Sequence, residues 1–207
     1  MIIRIVKSAL FILGLMLTLP LIVLTWCEST LLGKDYEKVF AACKETLSLI
    51  PSIPGVYMRS AYYWAVCTKV SPEARFLFGS WLAHRKNKVD RGTLIGPYSF
   101  IGYSEIGENV IFGARVSIIS GKYQHGRPDQ RINGQKPSKL IEEDEIIHIG
   151  KNTWIGQDAV ILANIGENCT VGAGSVVFKD VPDNTTVIGN PARKVNMEMV
   201  PPERDTG

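Results

Sequence analysis

Residues 95–118 read IGPYSFIGYSEIGENVIFGARVSI, a stretch in which an aliphatic or aromatic residue is followed four times by glycine. The same kind of pair returns four more times further along the chain, and six residues is the usual step between pairs. Their apolar members are Ile95, Ile101, Ile106, Phe112, Ile149, Ile155, Ile165 and Val171. An amphipathic helix repeats its apolar residues about every 3.6 positions, so a step of six predicts a different architecture.

A second position of the repeat, four residues after the apolar one, is small or β-branched. It is occupied by Ser99, Val110, Val116, Thr153, Ala159, Cys169 and Ser175, with Glu105 as the exception in a unit one residue short. Six residues can form one short strand and one tight turn, where glycine avoids a Cβ clash. Three units would close a triangular coil of about 18 residues, and stacked coils bury a continuous core. The repeat therefore predicts a β-helix.

The overall composition excludes several classes of protein. The chain is 45% hydrophobic and 21% charged, which does not fit a disordered or collagen-like protein. Its formal net charge of +3 does not favour a nucleic-acid partner. The four cysteines, Cys27, Cys43, Cys67 and Cys169, form no CxxC pair, and the chain has no HExxH motif. We therefore predict neither a disulfide framework nor a metal site.

The N-terminal segment predicts attachment to a membrane. Ser8 to Trp26 is a run of nineteen residues without a charge, about the length that crosses the apolar core of a bilayer. The residues that follow make a poor signal-peptide cleavage site, so we expect the segment to be retained. Pro20 lies inside the run and leaves two alternatives open, a single span and a re-entrant anchor.

These patterns divide the chain into four parts. We predict a membrane anchor in residues 1–30, amphipathic membrane-proximal helices in 31–71, a β-helix in 72–195 and a tail in 196–207. The aromatic stretch that contains Tyr62 and Tyr63 fits either the lipid headgroup layer or packing on the β-helix, and both interpretations remain open.

Two interruptions break the repeat. Gly121 to Glu145 is a polar excursion of 25 residues, and a long excursion from a regular scaffold indicates a functional loop. The second interruption is the short unit 161–164, which has four residues.

The stretch Val171 to Val195, VGAGSVVFKDVPDNTTVIGNPARKV, carries a family resemblance. Its GAGSVV, KDVPDN and GNPARKV elements, with Trp154-Ile155-Gly156, resemble the hexapeptide-repeat acyltransferases, which include serine, maltose and galactoside acetyltransferases. The resemblance covers residues 94–195. It implies a mainly β fold, a left-handed parallel β-helix, and a homotrimer with active sites between neighbouring β-helices. Leu49 to Tyr63 and Gln124-His125-Gly126 resemble a subgroup of polysaccharide O-acetyltransferases.

The resemblance implies that His125 is the catalytic residue, because the family's catalytic histidine lies in a loop at the corresponding point. A neutral imidazole, with a pKa near about 6.5, suits removal of a proton from an attacking hydroxyl. His148 begins a repeat and should point outward, and with Gln124 and Arg127 it is a candidate contact for the acceptor. His84 is interpreted as structural. The carboxylate that orients His125 is left open among Asp129, Glu142, Glu143, Asp144 and Glu145.

The family match also implies acetyl-CoA as co-substrate. Gln157, Ala173, Phe178 and Lys179 fall at positions that contact CoA in the family. Arg193 and Lys194 follow Asn190-Pro191-Ala192 and could reach the phosphates or the adenine of CoA.

Together these features predict an acetyl-CoA-dependent O-acetyltransferase. The expected acceptor is a sugar hydroxyl of a membrane-associated, lipid-linked glycan in surface polysaccharide biosynthesis. The β-helix should lie on the cytoplasmic side of the inner membrane, where the donor is found. Three alternatives stay open: an acyl-carrier-protein donor, an amino-sugar acceptor, and a non-catalytic β-helix scaffold.

Overall fold

The computed structural model describes residues 2–33, 35–120 and 146–195. Three helices come first, α1 (Ile2–Leu32), α2 (Lys38–Ser48) and α3 (Ser52–Val66). Short strands then alternate among three sheets, which form faces A, B and C of a parallel β-helix. The first strand begins at Lys69, so the parallel ladder starts just before residue 72.

Each coil contributes one strand to each face in turn. Face A contains β1 (Lys69–Val70), β4 (Lys88–Val89), β7 (Ser104–Ile106) and β10 (Ile147–Ile149). Face B contains β2 (Arg75–Phe76), β5 (Leu94–Ile95), β8 (Ile111–Phe112), β11 (Trp154–Ile155), β13 (Thr170–Val171), β15 (Thr186–Ile188) and β16 (Arg193–Val195). Face C contains β3 (Trp81–Leu82), β6 (Phe100–Ile101), β9 (Ser117–Ile118), β12 (Val160–Ile161) and β14 (Val176–Val177).

The coils stack without a gap across both interruptions of the repeat. Strand β10 pairs with β7 and β12 pairs with β9, so the coils that flank residues 121–145 are direct neighbours. After the short unit 161–164, Ile165 forms parallel bridges to Ile149 and Val181. The predicted fold class, a parallel β-helix of hexapeptide repeats behind an apolar helix and further helices, is confirmed.

The inward positions of the repeat form the core. All eight apolar residues of the apolar–glycine pairs are at most 3% exposed, and the seven small or β-branched residues are at most 2% exposed. The exceptional unit has a simple explanation. Because it is one residue short, Ser104 takes the buried inward position, and Glu105 points out from face A.

The glycine of the repeat is required for a different reason from the one the sequence suggested. The left-handed backbone conformation belongs to the residue two positions later, as at Asn152 and Asp158, with φ of 57° and 61°. The glycine itself lies against the next coil. A Cβ on Gly156 would stand 2.5 Å from the backbone nitrogen of Ala173, and one on Gly113 would stand 2.5 Å from that of Gln157. Close stacking of coils therefore excludes a side chain at this position.

An asparagine ladder reinforces the corner between faces A and B. The side-chain amide of Asn109 donates to Asn152, that of Asn152 to Asn168, and that of Asn168 to Asn184, over 3.1–3.3 Å. All four residues have a positive φ, which asparagine tolerates better than most residues. The ladder thus combines a backbone requirement with hydrogen bonding between coils.

Helix α1 is buried along a small and polar stripe and exposed along its apolar sides. Gly14, Thr18, Ile22, Thr25 and Glu28 are buried. The exposed large residues are Ile5, Val6, Ile12, Leu13, Met16, Leu17, Leu19, Val23, Leu24, Trp26, Leu31 and Leu32. The helix continues through Pro20. This arrangement is the reverse of a helix on the surface of a water-soluble protein.

Helices α2 and α3 pack on the first coil through Arg59, which is fully buried. Its guanidinium donates to the carbonyls of Leu47 and Ile50 at 2.8 Å and of Phe76 at 2.9 Å. Burial lowers the pKa of Arg59 to about 10, so it stays charged at neutral pH. Tyr62 and Tyr63 are also fully buried. Of the two interpretations of this aromatic stretch, packing on the β-helix is therefore the one that the structure supports.

Candidate functional site: the corner between faces C and A

One corner of the β-helix gathers most of the predicted site. We call it the C–A corner, and its described residues are 83–87, 102–103, 119–120, 162–164 and 178–180. The 25-residue excursion enters after Ser120 and returns at Ile146, so both of its ends lie here. The hydroxyl of Ser120 accepts the backbone N–H of Tyr103 at 2.7 Å, which fixes the point of departure. His125, Gln124 and Arg127, with the candidate carboxylates Asp129, Glu142, Glu143, Asp144 and Glu145, lie outside the described residues.

His148 stands beside this corner on the outer side of face A, in the outward orientation expected from strand alternation. It is in register with Glu105, which is in register with Lys88. The imidazole Nδ1 lies 3.8 Å from the Glu105 Oε2, and Glu105 accepts a hydrogen bond from the Lys88 ammonium. More than half of the His148 side chain is exposed, so a ligand can reach it.

Stacked polar groups connect His148 to the last coils. The His148 N–H donates to the Asn164 Oδ1 at 2.9 Å, and the Asn164 N–H donates to the Asp180 Oδ1 at 2.9 Å. Asn164 belongs to the four-residue unit and Asp180 follows Lys179 directly. The short unit therefore continues the C–A corner instead of disrupting it.

Four of the six predicted CoA-binding residues line one groove at the C-terminal end of the β-helix. Phe178 and Lys179 come from the C–A corner, and Arg193 and Lys194 come from β16, which turns back along β15. The groove has a volume of about 310 Å³, and Val177, Val181 and Val187 form part of its wall. Three cations beside an apolar surface suit a ligand that carries both phosphates and a ring.

Gln157 and Ala173 do not reach this groove. They stack on each other at the corner between faces B and C, where the Gly174 N–H donates to the Gln157 carbonyl at 2.8 Å. Nearby, Arg115 forms a two-bond pair with Asp158 at 2.7 and 2.8 Å. A hydrogen bond from Arg115 lowers the pKa of the Asp158 carboxyl. Within one chain, the six predicted residues therefore fall into two separate groups.

His84 has a carboxylate partner that the sequence did not indicate. Its Nδ1 lies 3.1 Å from the Glu37 Oε2, and the other oxygen of Glu37 accepts the Arg85 N–H at 2.9 Å. Burial raises the pKa of Glu37, but the hydrogen bonds from His84 and Arg85 and their charges outweigh it, and the pKa is lowered. Glu37 precedes α2, so the contact ties that helix to the C–A corner.

No cluster of three or more possible metal ligands occurs among the residues with described positions. The four cysteines are free.

Comparisons with known proteins agree with the repeat. The family model described as bacterial transferase hexapeptide (six repeats) matches residues 146–179, from β10 to just beyond β14. The repeats are bacterial transferase hexapeptides. No curated protein sequence matches the chain significantly.

Solved structures share the fold of these hexapeptide repeats. A maltose O-acetyltransferase from Clostridium difficile 630 superposes with a TM-score of 0.54 and 22% identity, over 77% of this chain and 85% of that one. PerB from Caulobacter crescentus, solved with CoA and GDP-perosamine, gives 0.44 and 19%, over 61% and 53%. The acetyltransferase domain of PglB from Neisseria gonorrhoeae, solved with acetyl coenzyme A, gives 0.31 and 24%, over 60% and 53%. The chain thus spans about half the length of the last two.

Proposed function

We propose that this protein is an acetyl-CoA-dependent O-acetyltransferase that acts on a sugar hydroxyl of a membrane-associated glycan. One observation carries the proposal. The segment that contains His125 is inserted at the same corner that, in the last coil, presents Phe178 and Lys179 to a cationic groove. A base and a CoA-binding surface would then belong to one continuous strip of the molecule.

The cationic groove is proposed to bind the nucleotide end of acetyl-CoA. Lys179, Arg193 and Lys194 would hold its phosphates by charge-assisted hydrogen bonds, and the exposed ring of Phe178 offers an apolar contact for the adenine. The pantetheine arm would extend along the C–A corner toward His148 and the excursion. Backbone amides at the turns could pair with the amides of that arm.

His125 is proposed to act as general base. A sugar hydroxyl has a pKa far above 7, so its proton must leave as the oxygen attacks the thioester carbonyl. The resulting oxyanion needs a hydrogen-bond donor, which a backbone N–H could supply. The CoA thiolate leaves and takes up a proton. His148, with Gln124 and Arg127, would contact the acceptor, and its exposed ring beside Glu105 is suited to a sugar hydroxyl.

A homotrimer would explain why Gln157 and Ala173 are separated from the groove. If active sites lie between neighbouring β-helices, the corner that carries these two residues in one copy can contact CoA bound to the next copy. Face B also exposes a pair of adjacent large side chains, Ile111 and Trp154, which are 47% and 50% exposed. A row of this kind is suited to burial against a second β-helix.

The membrane location is supported by α1, the one helix of the described chain that is long and apolar enough to cross a bilayer. A membrane-attached enzyme would meet a lipid-linked acceptor at the surface, while its β-helix faces the cytoplasm and the CoA pool. These two points remain part of the proposal.

Transfer of radiolabelled acetyl groups to purified lipid-linked glycans tests the proposed chemistry. We expect His125→Ala to lower the rate by roughly 10²–10⁴-fold with unchanged acetyl-CoA binding, because a general base contributes about that factor. His148→Ala should mainly raise the KM for the acceptor. Full activity in His125→Ala would rule out the assigned base. Activity with acetyl-carrier protein alone, or with amino sugars alone, would favour the corresponding alternative, and no acyl transfer would favour a scaffold.

A further inference from the structure

Helix α1 contacts the rest of the protein along most of its length, which decides how it can meet a membrane. Near its start, Gly14 packs against the Tyr57 carbonyl, where a Cβ would stand at 2.8 Å. Further along, the Thr25 and Tyr62 hydroxyls are 2.8 Å apart. Near its end, Glu28 accepts the Val39 N–H of α2 at 2.6 Å. A helix perpendicular to the bilayer would carry α2, α3 and the first coil into hydrocarbon, so α1 fits best in the plane of the interface.

A cavity opens between the start of α1 and the first coils. Its lining combines Lys7, Ser8, Phe11 and Ile12 with Pro72, Glu73, Arg75 and Gly92, and its volume is about 600 Å³. Ile12 is 52% exposed and begins the apolar surface that continues along α1. One end of the cavity is therefore polar, and the other opens onto a surface suited to lipid chains.

The two cations of this cavity are available for an anion. None of the ion pairs formed within the described ranges involves Lys7 or Arg75. The Arg75 guanidinium donates to the carbonyls of Pro72 at 2.7 Å and Ala74 at 3.0 Å, and it lies 4.8 Å from the centre of the Tyr57 ring. These contacts hold Arg75 in place without neutralising it. Glu73 is the one carboxylate in the lining, so the cations outnumber it.

We infer that this cavity binds the phosphate headgroup of an anionic membrane lipid, whose acyl chains lie against Phe11, Ile12 and the exposed side of α1. Lys7 and Arg75 would bind the phosphate together, since basic residues at a membrane surface attract anionic lipids. The inference rests on the membrane attachment proposed above. It does not involve acyl transfer, because the cavity lies at the opposite end of the β-helix from the Lys179 groove.

Native mass spectrometry of the full chain in detergent tests this site. We would titrate phosphatidylglycerol, diacylglycerol with the same chains, and glycerol 3-phosphate. Phosphatidylglycerol should be retained most tightly. Lys7→Gln with Arg75→Gln should weaken its binding roughly thirtyfold, about 1 kcal/mol for each cation. Ser8→Trp, which fills the cavity without removing a charge, should weaken it as well. The matched control is Lys151→Gln with Arg115→Gln, which removes two exposed cations elsewhere and should leave lipid binding unchanged.

Three results would overturn the inference. Phosphatidylglycerol binding could be equal in the double variant and the wild type. Diacylglycerol could bind as tightly as phosphatidylglycerol, or glycerol 3-phosphate could bind as tightly as the whole lipid, which would make this a site for free phosphate. Flotation with phosphatidylcholine vesicles is measured in parallel. Loss of flotation in the wild type would reject membrane attachment itself, whereas flotation of both forms with unchanged phosphatidylglycerol binding would reject the cavity alone.

Discussion

At the scale of single residues, the repeat depends on how close two coils approach. The sequence correctly marks glycine as required, but a sequence pattern does not show whether its backbone angle or its missing side chain is needed. The structure separates the two cases. Gly156 faces the backbone of the next coil. Gly174 instead has a φ of 66°, and no atom of the described residues lies within 4 Å of the place that a Cβ would take.

The pair of variants Gly156→Ala and Gly174→Ala tests this distinction. In the first, the new Cβ meets the Ala173 nitrogen, so the coils must separate, and we expect a loss of about 2–3 kcal/mol in the free energy of unfolding. The second places alanine in the left-handed region and should cost about 1 kcal/mol. Urea unfolding followed by circular dichroism measures both. Equal losses would show that coil spacing is not the reason for the glycine.

At the scale of elements, the helices are attached to the β-helix by contacts between residues far apart in sequence. Arg59 binds carbonyls at the end of α2 and in β2, and Glu37 binds His84 and Arg85 at the C–A corner. Sequence periodicity could predict the strands, because their partners recur at a fixed step. It could not predict these contacts, since nothing in the spacing relates Glu37 to His84, nor the turn of β16 back along β15.

The lowered pKa of Glu37 predicts a pH dependence of stability. A carboxyl whose pKa is lower in the folded than in the unfolded chain stabilises the fold above the unfolded pKa, near about 4.5, and loses that contribution as the pH falls through the folded pKa. Glu37→Gln should therefore lower the unfolding free energy at neutral pH by about 1 kcal/mol, with the difference from wild type shrinking in acid. Glu45→Gln, on the exposed side of α2, is the control. A difference that stays constant with pH would contradict this role.

At the scale of the whole molecule, the candidate site is only partly contained in one chain. The family resemblance indicated six CoA-binding residues, and the structure brings four of them to one groove and leaves Gln157 and Ala173 at another corner. A sequence comparison cannot show this separation, because it aligns residues without regard to which copy they serve. The proposed trimer reunites the two groups and covers Ile111 and Trp154.

Trp154→Glu tests the trimer. A charge in the centre of a buried contact is costly, so we expect the variant to be monomeric by light scattering in detergent, with acetyl-CoA affinity reduced at least about tenfold. Thr170→Glu, in the neighbouring strand on the same face, shows how far the interface extends. A wild-type protein that is already monomeric, or a trimeric Trp154→Glu variant, would contradict the proposed assembly.

The binding of acetyl-CoA itself tests the account most directly. Isothermal titration calorimetry would compare the wild type, Lys179→Ala with Arg193→Ala, and the control Lys151→Ala with Arg115→Ala, which removes two exposed cations outside the groove. We predict saturable binding to the wild type and the control, and at least about tenfold weaker binding to the groove variant, because hydrogen bonds to charged groups contribute about 1.5–3 kcal/mol each. Absence of binding to the wild type, or equal affinity in all three proteins, would contradict the central claim that this groove holds the acetyl donor.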